Sequence, residues 1–219
     1  MSLPTLADLV RLAQDLPSLP DIRPAWLREM PYACGAGEAY YRYYAELVAR
    51  YQPLRTVEIG TDRAVATAHL AYENTAPVVT IDHNWRALEN ALALPLLNIE
   101  AIYGDSSTAV EAARGHGPYD LLYIDALHDF NHAYGEYVLY RELVVDGGMI
   151  FFDDLDLDMH TRDMQILWEH IVDPKAMLPG LHATGFGVAI KDPAIAPLPW
   201  RDVIDAVDAR RAAYAAAHG

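Results

Sequence analysis

The sequence predicts an α/β fold, a doubly wound, mostly parallel sheet preceded by a helical extension. Three observations carry this expectation. First, short apolar runs of strand length alternate with segments of helical spacing along most of the chain. Second, these runs stop abruptly in glycine or acid, at Gly60, Asp82, Gly104-Asp105, Asp125 and Asp153-Asp154. Third, between Tyr119 and Asp154 the runs LLYI and MIFF flank a helical segment ending at Gly147-Gly148, which is the pattern of a βαβ unit. Parallel neighbours in such a sheet point their carboxyl ends the same way. Asp125, Asp153 and Asp154 should therefore converge on one crevice, where open α/β sheets bind their ligands.

Each element follows from local pattern. Thr5 with Asp8 makes a capping-box-like start, and Leu6, Leu9, Val10, Ala13 and Leu16 form one apolar helical face. Pro17, Pro20, Pro24 and Pro31 argue against regular structure in the connector that follows. Residues 1–36 are read as an N-terminal helical extension or lid, and residues 37–219 as one domain. After Gly35 and Gly37, EAYYRYYAELVARY sets Tyr40, Tyr44, Leu47 and Tyr51 at helical spacing, a stripe expected in the core. The strands are LRTVEIG, VVTID, IEAIYGD, LLYID and MIFFD, with helices at AVATAHLAY, Trp85 to Ala93 and Val110 to Ala113 between the first four. A helix is expected from Met159 to Val172, then one or two strands in LHATGFGVAI, then a last helix from Trp200 to Ala217.

Composition narrows the function. The chain has 219 residues, 53% hydrophobic and 21% charged, which suits a globular fold with a substantial core. Its formal net charge of −15, with no basic stripe, argues against a nucleic-acid partner. Cys34 stands alone, so no internal disulfide framework or Cys-based zinc site is expected. MSLPTLADLV lacks a basic leader before an apolar run, and no apolar segment approaches the roughly 18 residues that span a bilayer. A cytoplasmic protein with no membrane partner is the expectation; the added N-terminal helix is compatible with a homo-oligomer.

The first site signal is VEIGTDRA, where a strand ends in Gly60 and turns into a helix, letting backbone approach a ligand. A dinucleotide G-x-G-x-x-G is absent, since positions 62 and 65 are Asp and Val. Asp82 ends the next strand, where a carboxylate can accept from both hydroxyls of a ribose. That device serves NAD as well as other nucleosides. Gly104-Asp105-Ser106 closes the third strand, and IDALHDF, then GG, then FFDD, completes the set.

VEIGTDRA resembles motif I of the class I S-adenosylmethionine-dependent methyltransferases, with Ala64 where that family usually has glycine. IDALHDF…GG…FFDD resembles a branch written I-D-x-x-H, G-G, D-D, which includes metal-dependent sugar O-methyltransferases and is close to the catechol type. The resemblance covers roughly Glu38 to Asp154. Ala126, Leu127, Phe130 and Asp146 depart from the usual residues, and Leu127 alters the floor near the acceptor. The resemblance implies a seven-stranded Rossmann-like methyltransferase fold. It also implies S-adenosylmethionine held by Glu58, Gly60, Thr61, Asp82, His83, Gly104, Asp105, Ser106 and Asp125, with Asp105 taking the adenine amino group. Asp125, Asp153 and Asp154 would hold Mg²⁺.

The chemistry fits those residue types. Mg²⁺ prefers hard oxygens and leaves positions for substrate, so three carboxylates at adjacent strand ends suit chelation of two neighbouring hydroxyls. Buried like charges raise one another's pKa, which favours a cation among them. His128 stands three residues after Asp125, and an imidazole takes a proton near neutral pH, so it is the candidate catalytic base. The expected activity is Mg²⁺-dependent O-methylation of a small polyhydroxylated acceptor. A non-catalytic S-adenosylmethionine-binding protein and an NAD-linked oxidoreductase are the alternatives. DDLDLD lacks the setting of a phosphatase nucleophile motif and the glycine and glutamate of an EF-hand.

Overall fold

A computed structural model describes residues 2–30, 38–125, 127–157 and 162–218. The capping box at Thr5 is formed in full: its hydroxyl accepts from Asp8 N–H and the Asp8 carboxylate accepts from Thr5 N–H, starting α1 (Leu6–Asp15). The proline-rich connector is more regular than expected. Leu16–Ser18 form a 3₁₀ turn with Pro17 in its first turn, and Pro24 caps a short α2 (Ala25–Arg28). Proline suits those places because the first helical N–H groups have no partner within the helix. The expected boundary at residue 36, and the calls on Pro31, Cys34, Gly35 and Gly37, lie outside the described residues, as do Ala126, Met159 and His160.

From α3 (Glu38–Tyr51) onward, strand and helix alternate: β1 (Thr56–Ile59), α4 (Val65–Ala71), β2 (Val78–Asp82), α5 (Trp85–Leu92), β3 (Ile99–Tyr103), α6 (Ser106–Arg114), β4 (Tyr119–Ile124), α7 (Phe130–Arg141) and β5 (Val144–Asp153). They are followed by α8 (Asp163–His170), β6 (Lys175–Met177), β7 (Phe186–Ile190) and α9 (Trp200–His218). The seven strands lie in the order β3-β2-β1-β4-β5-β7-β6, and the order reverses between β1 and β4. The first five pair parallel, while β7 runs antiparallel to both β5 and β6.

Three expectations are corrected. The helix before β5 stops at Arg141 rather than at the glycines, because Val144 pairs with Tyr119 and opens the strand early. Asp105 caps α6, whose start moves from Val110 to Ser106. The described part of α8 ends at His170, since Ile171 is already extended. LHATGFGVAI forms one strand, β7, within the expected one or two; the three-residue β6 that pairs with it is too short to leave a periodic pattern.

Both faces of the sheet are covered, and the strand period of two sorts the side chains between them. Leu122, Ile124, Ile150 and Phe152 point into a layer with Phe130, Tyr134, Tyr137 and Leu167. Leu121, Tyr123, Met149 and Phe151 point into the opposite layer, with Tyr43, Tyr44 and Leu47 of the tyrosine stripe. Leu9, Leu12 and Leu16 of α1 belong to this second layer, and Tyr43 Oη donates to Leu9 O at 3.2 Å. The N-terminal helix is thus built into the core. No helix among the described residues is long and apolar enough to cross a membrane.

Candidate active site

The carboxyl ends of β1, β2, β4 and β5 meet beside the reversal in strand order. After β1 the chain turns at Gly60, whose φ of 94° favours glycine, and Gly60 N–H donates to Ile81 O at 2.9 Å. Ala64 has φ 60°, also in the left-handed region, which accounts for glycine being usual at that place in the related pattern. Asp82 holds this loop. Its Oδ2 accepts from Thr61 N–H at 2.9 Å and Asp62 N–H at 3.3 Å, and its Oδ1 from Asn84 N–H at 2.7 Å. Three backbone donors occupy most of the roughly four lone-pair positions of a carboxylate, leaving a ligand fewer than the sequence suggested.

Two cavities open here. The first, about 260 Å³, is lined by Gly60, Asp82, His83, Gly104, Asp105, Ser106, Asp125, His132 and Glu136, among others. The second, about 270 Å³, is lined by Tyr40, Tyr41, Glu58, Thr61, Arg63, His128, Asp153, Asp154 and His182, together with Gly60 and Asp125. Gly60, Asp62 and Asp125 border both, so the two spaces adjoin. The structure brings most of the sequence-predicted nucleoside residues into the first cavity. Glu58 and Thr61 face only the second.

Glu58 is fully buried, and burial pushes its carboxyl up to about 8 despite hydrogen bonds from Thr67 Oγ1 and from Thr80 Oγ1, the latter at 2.6 Å. Asp105 is engaged in capping α6, accepting from Ser107 N–H at 2.9 Å. Ser106 Oγ donates at 2.7 Å to Glu136, a buried acid that desolvation pushes up to about 7. No motif pointed to Glu136. It reaches this wall because α7 packs back across α6.

At the junction stands the acid cluster. Tyr123 Oη donates to Asp125 Oδ2 at 2.8 Å and to Asp153 Oδ2 at 3.0 Å, tying β4 to β5. His128 Nε2 lies 3.4 Å from Asp125 Oδ1 and 3.0 Å from Asp154 Oδ2. His182, from the loop before β7, sets Nδ1 3.1 Å from Asp153 Oδ1 and 3.6 Å from Asp154 Oδ1. Desolvation, then the charge of Asp153, pushes the Asp125 carboxyl above the usual carboxylate range. Burial works against charge on His128 and His182, yet their carboxylate partners hold both rings above the ordinary imidazole value.

The donor chemistry fits a divalent cation. Asp125, His128 and Asp154 form one set with ligand atoms within 4.8 Å of one another, and Asp153, Asp154 and His182 form a second. Hard oxygens from three acids gathered around one space suit such an ion. His182, Tyr123 and Tyr40 carry no motif in the sequence. Tertiary packing alone assembles them.

Residues 57–155 match the family model described as a methyltransferase domain. An O-methyltransferase from Bacillus cereus, solved in complex with SAH, superposes with TM-score 0.57 at 19% identity, covering 86% of this chain and 92% of that one. TomG from Streptomyces achromogenes, an O-methyltransferase involved in tomaymycin synthesis and solved with SAM, gives 0.59 at 17% identity, covering 85% and 89%. The chain has the class I, S-adenosylmethionine-dependent methyltransferase fold. No curated protein sequence matches it. The N-methyltransferase NodS from Bradyrhizobium japonicum superposes with TM-score 0.52 at 17% identity, covering 70% of this chain and 94% of that one. The fold is thus shared by an N-methyltransferase and by O-methyltransferases, and does not separate them.

Proposed function

We propose that this methyltransferase domain moves a methyl group from S-adenosylmethionine to a hydroxyl of a small polyhydroxylated acceptor, a sugar, catechol or similar diol, with Mg²⁺ in the acid cluster. The observation that carries the reading is the convergence of Asp125, Asp153, Asp154 and His128 where the two cavities adjoin. The first cavity, with Asp82, His83, Gly104, Asp105 and Ser106 in its wall, would take the nucleoside. Gly60 and Thr61 would carry backbone toward the methionine end, with Glu58 beneath them. The resemblance of the acid cluster to metal-dependent O-methyltransferases supports the choice of oxygen.

Bound S-adenosylmethionine supplies an electrophilic methyl on a sulfonium. A cation held by Asp125, Asp153 and Asp154 would supply acidity and a fixed position for neighbouring acceptor oxygens. The protein's own part is mainly positional, because methyl transfer requires oxygen, carbon and sulfur in line. Tyr40 and Tyr41 wall the second cavity. His128 is the group that takes the hydroxyl proton.

Calorimetry with S-adenosylmethionine, with and without Mg²⁺, tests the binding half. Mass spectrometry of diol acceptors incubated with cofactor tests the transfer. Failure to bind S-adenosylmethionine would overturn the reading, and equal turnover in excess chelator would remove the metal from it.

A further inference from the structure

We propose that His182 is a nitrogen ligand of the cation site, so that the site binds nitrogen-accepting first-row ions such as Mn²⁺ and Co²⁺ more tightly than Mg²⁺. The proposal rests on the metal-assisted reading above and refines which ion it favours. Nothing in the sequence motifs points to His182. It lies on the loop before β7, and it enters the site because β7 pairs antiparallel with β5 and sets that loop beside Asp153.

The geometry is that of a coordination corner. In an octahedron with bonds of about 2.1 Å, neighbouring ligand atoms stand about 3.0 Å apart. His182 Nδ1 lies 3.1 Å from Asp153 Oδ1 and 3.6 Å from Asp154 Oδ1, and the three ligand atoms form a compact group. The ring is also held in that orientation. Tyr40 packs edge-on at 4.8 Å between centroids; Thr184, whose own proton goes to Asp154, accepts from Nδ1–H at 2.7 Å, a proton that a bound cation would displace. Tyr40 N–H donates to Leu181 O at 3.1 Å and pins the adjoining backbone. The ring packing and the pinned backbone limit how far the imidazole can turn away from Asp153.

The two imidazoles of the site divide by depth. The His182 side chain is 13% exposed and pairs with Asp153, the most buried of the three acids at 4%. The His128 side chain is 24% exposed and leans on Asp125 and Asp154 from the loop after β4. The deeper ring suits a permanent ligand, while the outer one stays free to meet an acceptor. Mg²⁺ favours oxygen throughout, whereas imidazole nitrogen suits later first-row ions, so one such ligand shifts selectivity.

The test uses Mn²⁺ alone as probe on the full chain, with electron paramagnetic resonance for affinity and electron spin-echo modulation for coupling to nitrogen. Wild type should bind Mn²⁺ with ¹⁴N coupling, which ¹⁵N-histidine labelling shifts. His128→Ala should keep the coupling. His182→Ala and His182→Gln should lose it, with Mn²⁺ affinity down on the order of ten-fold or more and Mg²⁺ affinity, read by competition, changed much less. Mn²⁺ binding by wild type without nitrogen coupling overturns the assignment of His182 but leaves the carboxylate site standing. Coupling that survives in a folded His182 variant does the same. No Mn²⁺ or Mg²⁺ binding by wild type overturns the metal reading itself.

Discussion

His128 Nε2 stands 3.0 Å from Asp154 Oδ2, which joins the loop after β4 to the turn after β5. Asp154 reaches that contact from a left-handed backbone, φ 56°, while its neighbour Asp153 stays in the strand. The two acids consequently face the space from different directions, and a base sits against one of them. That arrangement yields the first expectation. His128→Gln should lower kcat by about 10²- to 10⁴-fold with little change in cofactor affinity. The wild-type rate should fall toward acid as the ring, whose affinity for a proton is raised by its acid partners, becomes protonated. Rates for the variant equal to wild type between about pH 6 and 9 would assign the proton to another group.

Asp153 is buried, and Tyr123 Oη donates to it. Asp153→Asn keeps the shape and removes the charge. Divalent-ion affinity by calorimetry should drop on the order of ten-fold or more, while S-adenosylmethionine affinity stays near wild type. A parallel loss of both would mean that Asp153 serves the fold rather than an ion.

Asp82 has two roles that a pair of variants separates. Its carboxylate anchors Thr61, Asp62 and Asn84 N–H groups, so Asp82→Ala should cost about 1–3 kcal/mol of stability as well as cofactor binding. Asp82→Asn retains acceptor capacity on one atom and should keep more of the stability than of the affinity. Urea denaturation set beside cofactor titration makes the comparison.

Glu58 makes stability depend on pH in a defined sense. Its folded value, about 8, lies above the ordinary 4.5, so the folded state holds the proton longer than the unfolded chain. Its contribution is fully favourable below about pH 4.5 and declines by up to ~1.4 kcal/mol per pH unit as pH rises toward 8. Glu58→Gln should flatten that decline in the ligand-free protein. Denaturation midpoints between those two pH values provide the check, and identical slopes would mean that Glu58 is ionised at neutral pH.

Arg141 and Asp173 form a buried pair away from the site, with Arg141 Nε to Asp173 Oδ2 at 2.7 Å and Nη2 to Oδ1 at 2.8 Å. Tyr137 Oη also donates to Asp173, at 2.6 Å. Arg141→Ala strands a buried carboxylate and should destabilise by about 3–5 kcal/mol, read from chemical denaturation. A loss near zero would show that water reaches Asp173.

The alternation of strand and helix was legible because it rests on periodicity, which is local. The runs VVTID and EAYYRYYAELVARY coincide with β2 and α3. Errors fell where a short-range signal was weak or contested. Prolines at helix starts look like breakers in the sequence, the extended start of β5 lies ahead of its glycines, and β6 has only three residues.

What the sequence determined by itself is the parallel sheet and the row of acids at its carboxyl ends. Strand polarity follows from the connections, and an acid after each apolar run has one direction to face. What only the tertiary structure decided is which other side chains meet those acids. His182 arrives through an antiparallel strand, Tyr123 and Tyr40 through packing of the second layer, and Glu136 through α7 lying on α6. Their contacts span long separations in the chain, where no periodic pattern records which residues become neighbours.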